Sequence, residues 1–208
     1  MTIASATGLP VSVARAAADA GAAVQLIGKV GEGPDGDAVL LDVAAAGIGH
    51  VAVLRDAEAV PVADTSGDDG RTDVSIDQLS EIDEGDDGNA SRRAPRSTPI
   101  LEAADLELAL RYLPEYSVVV VAEPLDADAL RAVVAAAGWG GARLVVIGAG
   151  DDLPDDATVL EAPDDDAESA FADAVGRYAA ALDRGVEPRE AFAAASTGAG
   201  WEPVRADG

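Results

Sequence analysis

The sequence predicts one α/β domain, a three-layer α/β/α sandwich around a mainly parallel sheet. Three observations predict it. Helical and short apolar segments alternate along the chain, as they do where parallel strands are joined by helical crossovers. The run SVVVVA (117–122) is unbroken in valine, which fits a strand covered on both faces, and RLVVI (143–147) repeats that character. Finally, 208 residues suffice to bury one good core, so residues 1–208 read as a single domain.

The elements follow in order. Residues 11–20 carry apolar positions at helical spacing (Val11, Ala14, Ala17, Ala18), and Gly21 is placed to stop that helix. Residues 24–30 form an apolar strand, and 37–46 a second helix closed by Gly47. Strands at 50–54, opened by His50, and at 60–63 suggest a local β region. Residues 66–99 are rich in Gly, Ser, Asp and Pro and read as a mobile acidic insertion, with only 72–76 alternating like a strand. Beyond it come a helix at 103–113, the strand 117–122, a helix at 127–137 capped by Asp126, and the strand 143–147. A short strand at 158–161, a long amphipathic helix at 166–184 stopped by Gly185, and a helix at 188–197 opened by Pro188 complete the order. Trp139 and Trp201 are expected to pack inside.

The charge balance narrows the function. There are 39 Asp and Glu against 14 Lys and Arg, a formal charge of -25, and Lys29 is the only lysine. Such a chain repels itself in dilute buffer. In molar salt the Debye length falls to about 3 Å and removes most of that penalty. The Asp-rich, lysine-poor composition resembles that of proteins from salt-in halophiles; an ordinary acidic protein is the alternative. Sequence-independent nucleic-acid binding is excluded, since phosphate contacts need clustered cations and the one cluster, Arg92, Arg93 and Arg96, lies beside acidic runs. No apolar run is long enough to span a membrane. The start, MTIASATG, lacks the basic and apolar regions of a signal peptide, and the absence of cysteine fits a reducing compartment. A soluble cytoplasmic protein without membrane or nucleic-acid partners is expected.

The stretch 7–31, TGLPVSVARAAADAGAAVQLIGKVG, carries Gly8, Pro10, Ala14, Gly21 and Gly31 at spacings that closely resemble the N-terminal signature of the ribokinase-like (PfkB) sugar and nucleoside kinases. Thr7 stands where that signature has Gly or Ala, and Ser12 where it has Asn. The resemblance implies a ribokinase-like fold with its small β lid reduced or absent. It also implies a substrate end at Gly8, Ser12 and Gly31, with Asp35 and Gly36 in the following loop one residue off the family spacing. The family's usual first strand lies upstream of the signature, so it is expected to be missing here.

Ribokinase-like enzymes transfer a phosphoryl group from ATP to a sugar-type hydroxyl without a Walker loop. Their catalytic sequence resembles GAGD at a helix start, where backbone N–H groups hold phosphate charge and Asp takes the hydroxyl proton. A literal GAGD occurs at 148–151, but it follows the strand RLVVI and precedes DLPDDATV, a loop and short strand. Its place matches the family's nucleotide-side loop, with Gly148 as the glycine that approaches ATP. The catalytic register instead falls on DDDAESAF (164–171), aligned on Ala170 and Phe171. Ser169 then occupies the slot of the catalytic Asp, and Asp166, Ala167 and Glu168 replace Gly-Ala-Gly.

Asp166 is the candidate for a substitute base, although its charge opposes ATP phosphates; the plainer reading is a helix-start carboxylate that favours the macrodipole. No metal site is expected, since the adjacent Asp164, Asp165 and Asp166 do not readily face one ion. The leading expectation is a homologue without phosphotransfer that binds a sugar, a nucleoside or a partner. The alternatives are an active kinase, which would need ATP and Mg, and a structural subunit of a homo-oligomer or larger assembly.

Overall fold

The computed structural model describes residues 2–3, 8–57, 100–113, 115–148, 150, 152–162 and 168–197. Its elements are β1 (Thr2–Ile3), α1 (Leu9–Asp19), β2 (Gln25–Gly31), α2 (Pro34–Ala45), β3 (Gly49–Asp56) and α3 (Ala103–Tyr112), followed by β4 (Val118–Val121), α4 (Ala127–Gly140), β5 (Arg143–Ile147), β6 (Thr158–Leu160), α5 (Glu168–Asp183) and α6 (Pro188–Ser196). The expected strands at 60–63 and 72–76 and the insertion at 66–99 lie outside the described residues.

Six strands form one sheet in the order β3-β2-β1-β4-β5-β6, and all five pairings are parallel. The valines of β4 show why the sheet is covered on both sides. Val118 and Val120 face the core built by Val13 of α1 with Phe171, Val175 and Tyr178 of α5, whereas Val119 and Val121 face Leu106 of α3 and Val133 of α4. A third cluster joins α1 and α2 to Leu26 and Val30 of β2. Helices α1, α2, α5 and α6 therefore form one outer layer, and α3 and α4 the other. This is the expected α/β/α sandwich, with a parallel sheet in the middle.

Local chemistry sets the element ends as expected. Asp126 caps α4, its Oδ1 accepting from Ala129 N at 2.7 Å. The stops at Gly21, Gly47 and Gly185 all have positive φ. Residues 152–160 form a loop and β6, so no helix opens directly after Gly148.

Two expectations are corrected. The first strand is present: Thr2–Ile3 pairs with Leu26–Ile27 on one side and Val120–Val121 on the other, at the centre of the sheet. Two residues ahead of α1 suffice to fill that position, and a segment so short has no periodicity to reveal it. Trp139 is not a packing residue. It sits in the last turn of α4, 95% exposed, because the GWGG turn places it beyond the layer contacts. Trp201 lies outside the described residues.

Candidate functional site at the carboxyl edge of the sheet

In a doubly wound sheet the winding reverses once, and ligands bind outside the carboxyl ends of the strands at that point. Here the reversal falls between β1 and β4. Gly8 follows β1 and is the N-cap of α1, with φ 72° and ψ −143°, a conformation open to glycine and strained for other residues. Ser12 lies one turn on. Its hydroxyl donates to the Gly8 carbonyl at 3.3 Å, so the short side chain bonds back to its own helix start.

Helix α5 is packed against α1 with unusual closeness. A Cβ at Gly176 would lie 2.5 Å from Ala16 Cβ and 2.6 Å from Ala17 N. Near the helix ends, Arg184 Nη1 donates to the Ala20 carbonyl at 3.0 Å. The two helices therefore run in the same direction. Seven residues back from Gly176 is Ser169, and seven back from Ala16 is Leu9; at 1.5 Å per residue both lie about 10 Å further up. The fold thus brings Ser169, exposed in the first turn of α5, to the level of Gly8 and Ser12.

Gly31 ends β2, beside β1, and its carbonyl abuts the start of α2: a Cβ at Gly36 would meet Gly31 O at 2.1 Å. That contact explains glycine at 36 by close approach of helix to strand. Gly148 follows β5, separated from β2 by β1 and β4 and so about 14 Å from the Gly31 flank. It has φ 96°, and its N–H donates to the Leu160 carbonyl at 2.8 Å, continuing the β5–β6 pairing. Asp166 lies outside the described residues.

The edge that carries these residues is acidic. Glu32, Asp35, Asp37, Asp56, Glu123, Glu161 and Glu168 stand at the strand ends and helix starts. Arg55 pairs with Asp37, and Arg131 of α4 with Asp128 at 2.7 Å. Lys29 points from β2 to α3, where its Nζ lies 2.6 Å from Asp105 Oδ2, with side chains only 13% and 21% exposed. Asp105 also accepts from Glu102 N at 2.9 Å in the capping box that opens α3. Sequence reasoning singled out Lys29 only as the sole lysine. The available signal was a lone cation inside an apolar strand, which needs a partner wherever it is buried.

Phosphates of ATP are held by backbone donors and free cations; among the described residues near this edge, Lys29, Arg55 and Arg131 are each paired with a carboxylate. The Gly148 N–H is engaged as well. Among the described residues no three His, Cys, Asp or Glu side chains group to hold a metal ion. A cavity on this edge, beside α4 and lined by Leu125, Leu130, Arg131, Gly150 and Asp152, has a volume of about 220 Å³, below the usual range for a drug-sized ligand. A larger cavity, about 1050 Å³, lies at the opposite, amino edge of the sheet, against Gln25, Tyr116, Ser117 and Trp139. Burial there pushes the Tyr116 phenol above its usual pKa, and its Oη donates to the Ala136 carbonyl at 3.2 Å. That cavity lies at the amino ends of β2 and β4, the opposite end of the strands from the crevice where a doubly wound sheet binds its ligands, so its size does not make it the counterpart of the carboxyl-edge site.

Fold and edge together define a doubly wound, three-layer α/β/α protein with a parallel sheet. It is similar to the crystal structure of Sa239, with 13% identity and a TM-score of 0.61 over 96% of this chain and 83% of that one. It is also similar to two crystal structures of fructokinase from Xylella fastidiosa, one with bound ATP. These show 16% and 14% identity and TM-scores of 0.45 and 0.43, each over 93% of this chain and 58% of the other. The chain thus spans less than two thirds of the length of those fructokinases. No protein-family model and no curated protein matches the sequence. Among the described residues no helix is long and apolar enough to cross a membrane.

Proposed function

We propose that this chain is a ribokinase-like (PfkB) carbohydrate-kinase homologue that has lost phosphotransfer and works by binding a ligand or a partner in the cytoplasm. The N-terminal signature supports the lineage, because Gly8, Ser12 and Gly31 fall at the carboxyl edge where substrate-side residues of such a fold belong. One observation carries the loss of activity: Ser169, in the slot of the catalytic Asp, stands level with Gly8 and Ser12 on an edge whose nearby cations are paired.

A serine hydroxyl is far too weak a base to take the proton of a sugar hydroxyl at neutral pH, whereas a carboxylate can do so. The surrounding carboxylates would also repel the charge that builds on a transferring phosphoryl group. A neutral polyol or nucleoside meets no such repulsion, and carboxylates are good acceptors for its hydroxyls.

Incubation with Mg-ATP and a panel of sugars and nucleosides in molar KCl tests this reading. No phosphorylated product above the buffer control is expected. Turnover that disappears in Asp166→Ala would establish the opposite, an active kinase with a relocated base.

A further inference from the structure

The small cavity at the carboxyl ends of β4 and β5 lies between the first turns of α4 and the loop after β5. It is on the α3–α4 face of the sheet. Gly8, Ser12 and Ser169 stand at the starts of α1 and α5 on the other face, so the cavity is independent of the kinase-like reading. Leu125, Leu130 and Val134 give it an apolar wall, and Leu125 and Val134 pack on the apolar cluster beneath them. Its volume of about 220 Å³ is room for roughly seven waters at about 30 Å³ each, hence for a ligand of fewer than about ten non-hydrogen atoms.

Two opposite charges complete the lining, Arg131 from α4 and Asp152 from the loop. Arg131 Nη1 donates to Asp128 Oδ1 at 2.7 Å, an exposed pair of the kind that contributes little. A guanidinium carries five N–H donors in a planar fork, so donors remain for a second carboxylate. One carboxylate needs only that fork, whereas a triphosphate needs several free cations. Ala127, the first residue of α4, brings the positive end of the helix to the same wall. Asp152 has φ 58°, a left-handed conformation that Asp and Asn adopt more readily than other residues. An apolar wall with a guanidinium and a carboxylate on it matches a small molecule that bears both charges and a short hydrocarbon branch. Such a molecule has no net charge, so the acidic edge does not repel it as it would a phosphate.

We infer that this cavity binds a free aliphatic amino acid of valine or leucine size. Its carboxylate takes the Arg131 fork, its ammonium meets the Asp152 carboxylate, and its side chain covers Leu125, Leu130 and Val134. An apolar wall with a few convergent polar groups is the usual construction of a small-ligand site. Burial of the branched side chain supplies affinity, and the two charges supply specificity.

Isothermal titration of the full chain in molar KCl tests this with three probes. These are L-leucine, 4-methylpentanoate, which lacks the ammonium, and 3-methylbutylamine, which lacks the carboxylate. Saturable binding of leucine is expected, with a Kd of about 1 mM or tighter, and each truncated probe is expected to bind at least tenfold more weakly. Asp152→Asn keeps the backbone preference and removes the charge. It is expected to weaken leucine at least tenfold without weakening 4-methylpentanoate. Arg131→Gln, at an exposed helical position, is expected to weaken leucine as much without weakening 3-methylbutylamine. Circular dichroism checks that both variants keep the fold. No saturable binding of leucine, equal binding of the three probes, or leucine binding untouched by both substitutions would overturn the inference. The Mg-ATP assay reads the other face of the sheet, so the two readings fail separately.

Discussion

Gly176→Val is expected to destabilise the protein by about 3 kcal/mol or more, the upper part of the range for overpacking a core. Gly176 lies in the middle of α5, buried, and a Cβ there would sit 2.5 Å from Ala16 Cβ, 2.6 Å from Ala17 N and 2.8 Å from Ala16 C. Two of those atoms are backbone, so no rotamer change relieves the overlap. Helix α1 cannot retreat either, because Val13 and Ala14 on its inner side are fully buried against the sheet layer. A loss of that size is a large part of the 5–15 kcal/mol that holds a domain folded. Gly176→Ala is expected to lose less, about 1–2 kcal/mol, since the clash is partly offset by the roughly 1 kcal/mol that Ala gains over Gly in a helix. Gly138→Ala is the control. That glycine is also helical, but a Cβ would find no atom within 4 Å. It is expected to stabilise by about 0.5–1 kcal/mol. Urea unfolding in constant KCl reads all three, and the opposite signs of the two alanine substitutions separate close packing from helix propensity.

Asp105→Ala is expected to cost about 2–3 kcal/mol, and more than Lys29→Met. Removing the carboxylate strands the Lys29 ammonium at 13% exposure and also breaks the capping box at Glu102. Cutting one partner from a fully buried pair costs about 3–5 kcal/mol, and the residual exposure lowers that here. Lys29→Met keeps the length of the side chain and leaves Asp105 bonded to Glu102 N, so about 1 kcal/mol is expected. The double variant should be markedly more stable than the sum of the singles implies, with a coupling near 1 kcal/mol or more. Additive losses in a urea double-mutant cycle would mean that the pair contributes little to holding α3 on β2.

The sheet and its helices were legible in the sequence because their signals are local. Consecutive valines marked β4, Asp126 marked the start of α4, and glycines at 21, 47 and 185 marked where helices stop. What escaped depends on residues far apart in the chain. Thr2–Ile3 becomes a strand only because β2 and β4 offer it two edges. Lys29 finds Asp105 across a crossover, and Gly176 looks like a weak helix former until Ala16 is placed against it. Trp139 was misjudged because an aromatic residue reads as buried, while its position in the last turn of α4 carries it past the core. The candidate site was legible in part. The helix starts bearing Gly8, Ser12 and Ser169 were placed from the sequence, whereas their common level follows from the α1–α5 contact. The paired cations follow from side-chain geometry alone.

The claim that this carboxyl edge no longer serves a nucleotide is tested most directly by thermal unfolding of the intact protein in molar KCl, with and without millimolar Mg-ATP. A ligand held at a hundred times its Kd adds about 2.7 kcal/mol to the folded state. The acidic edge and its paired cations predict no rise in Tm. A saturable rise, abolished by substitution at Gly8 or Gly148, would contradict the account.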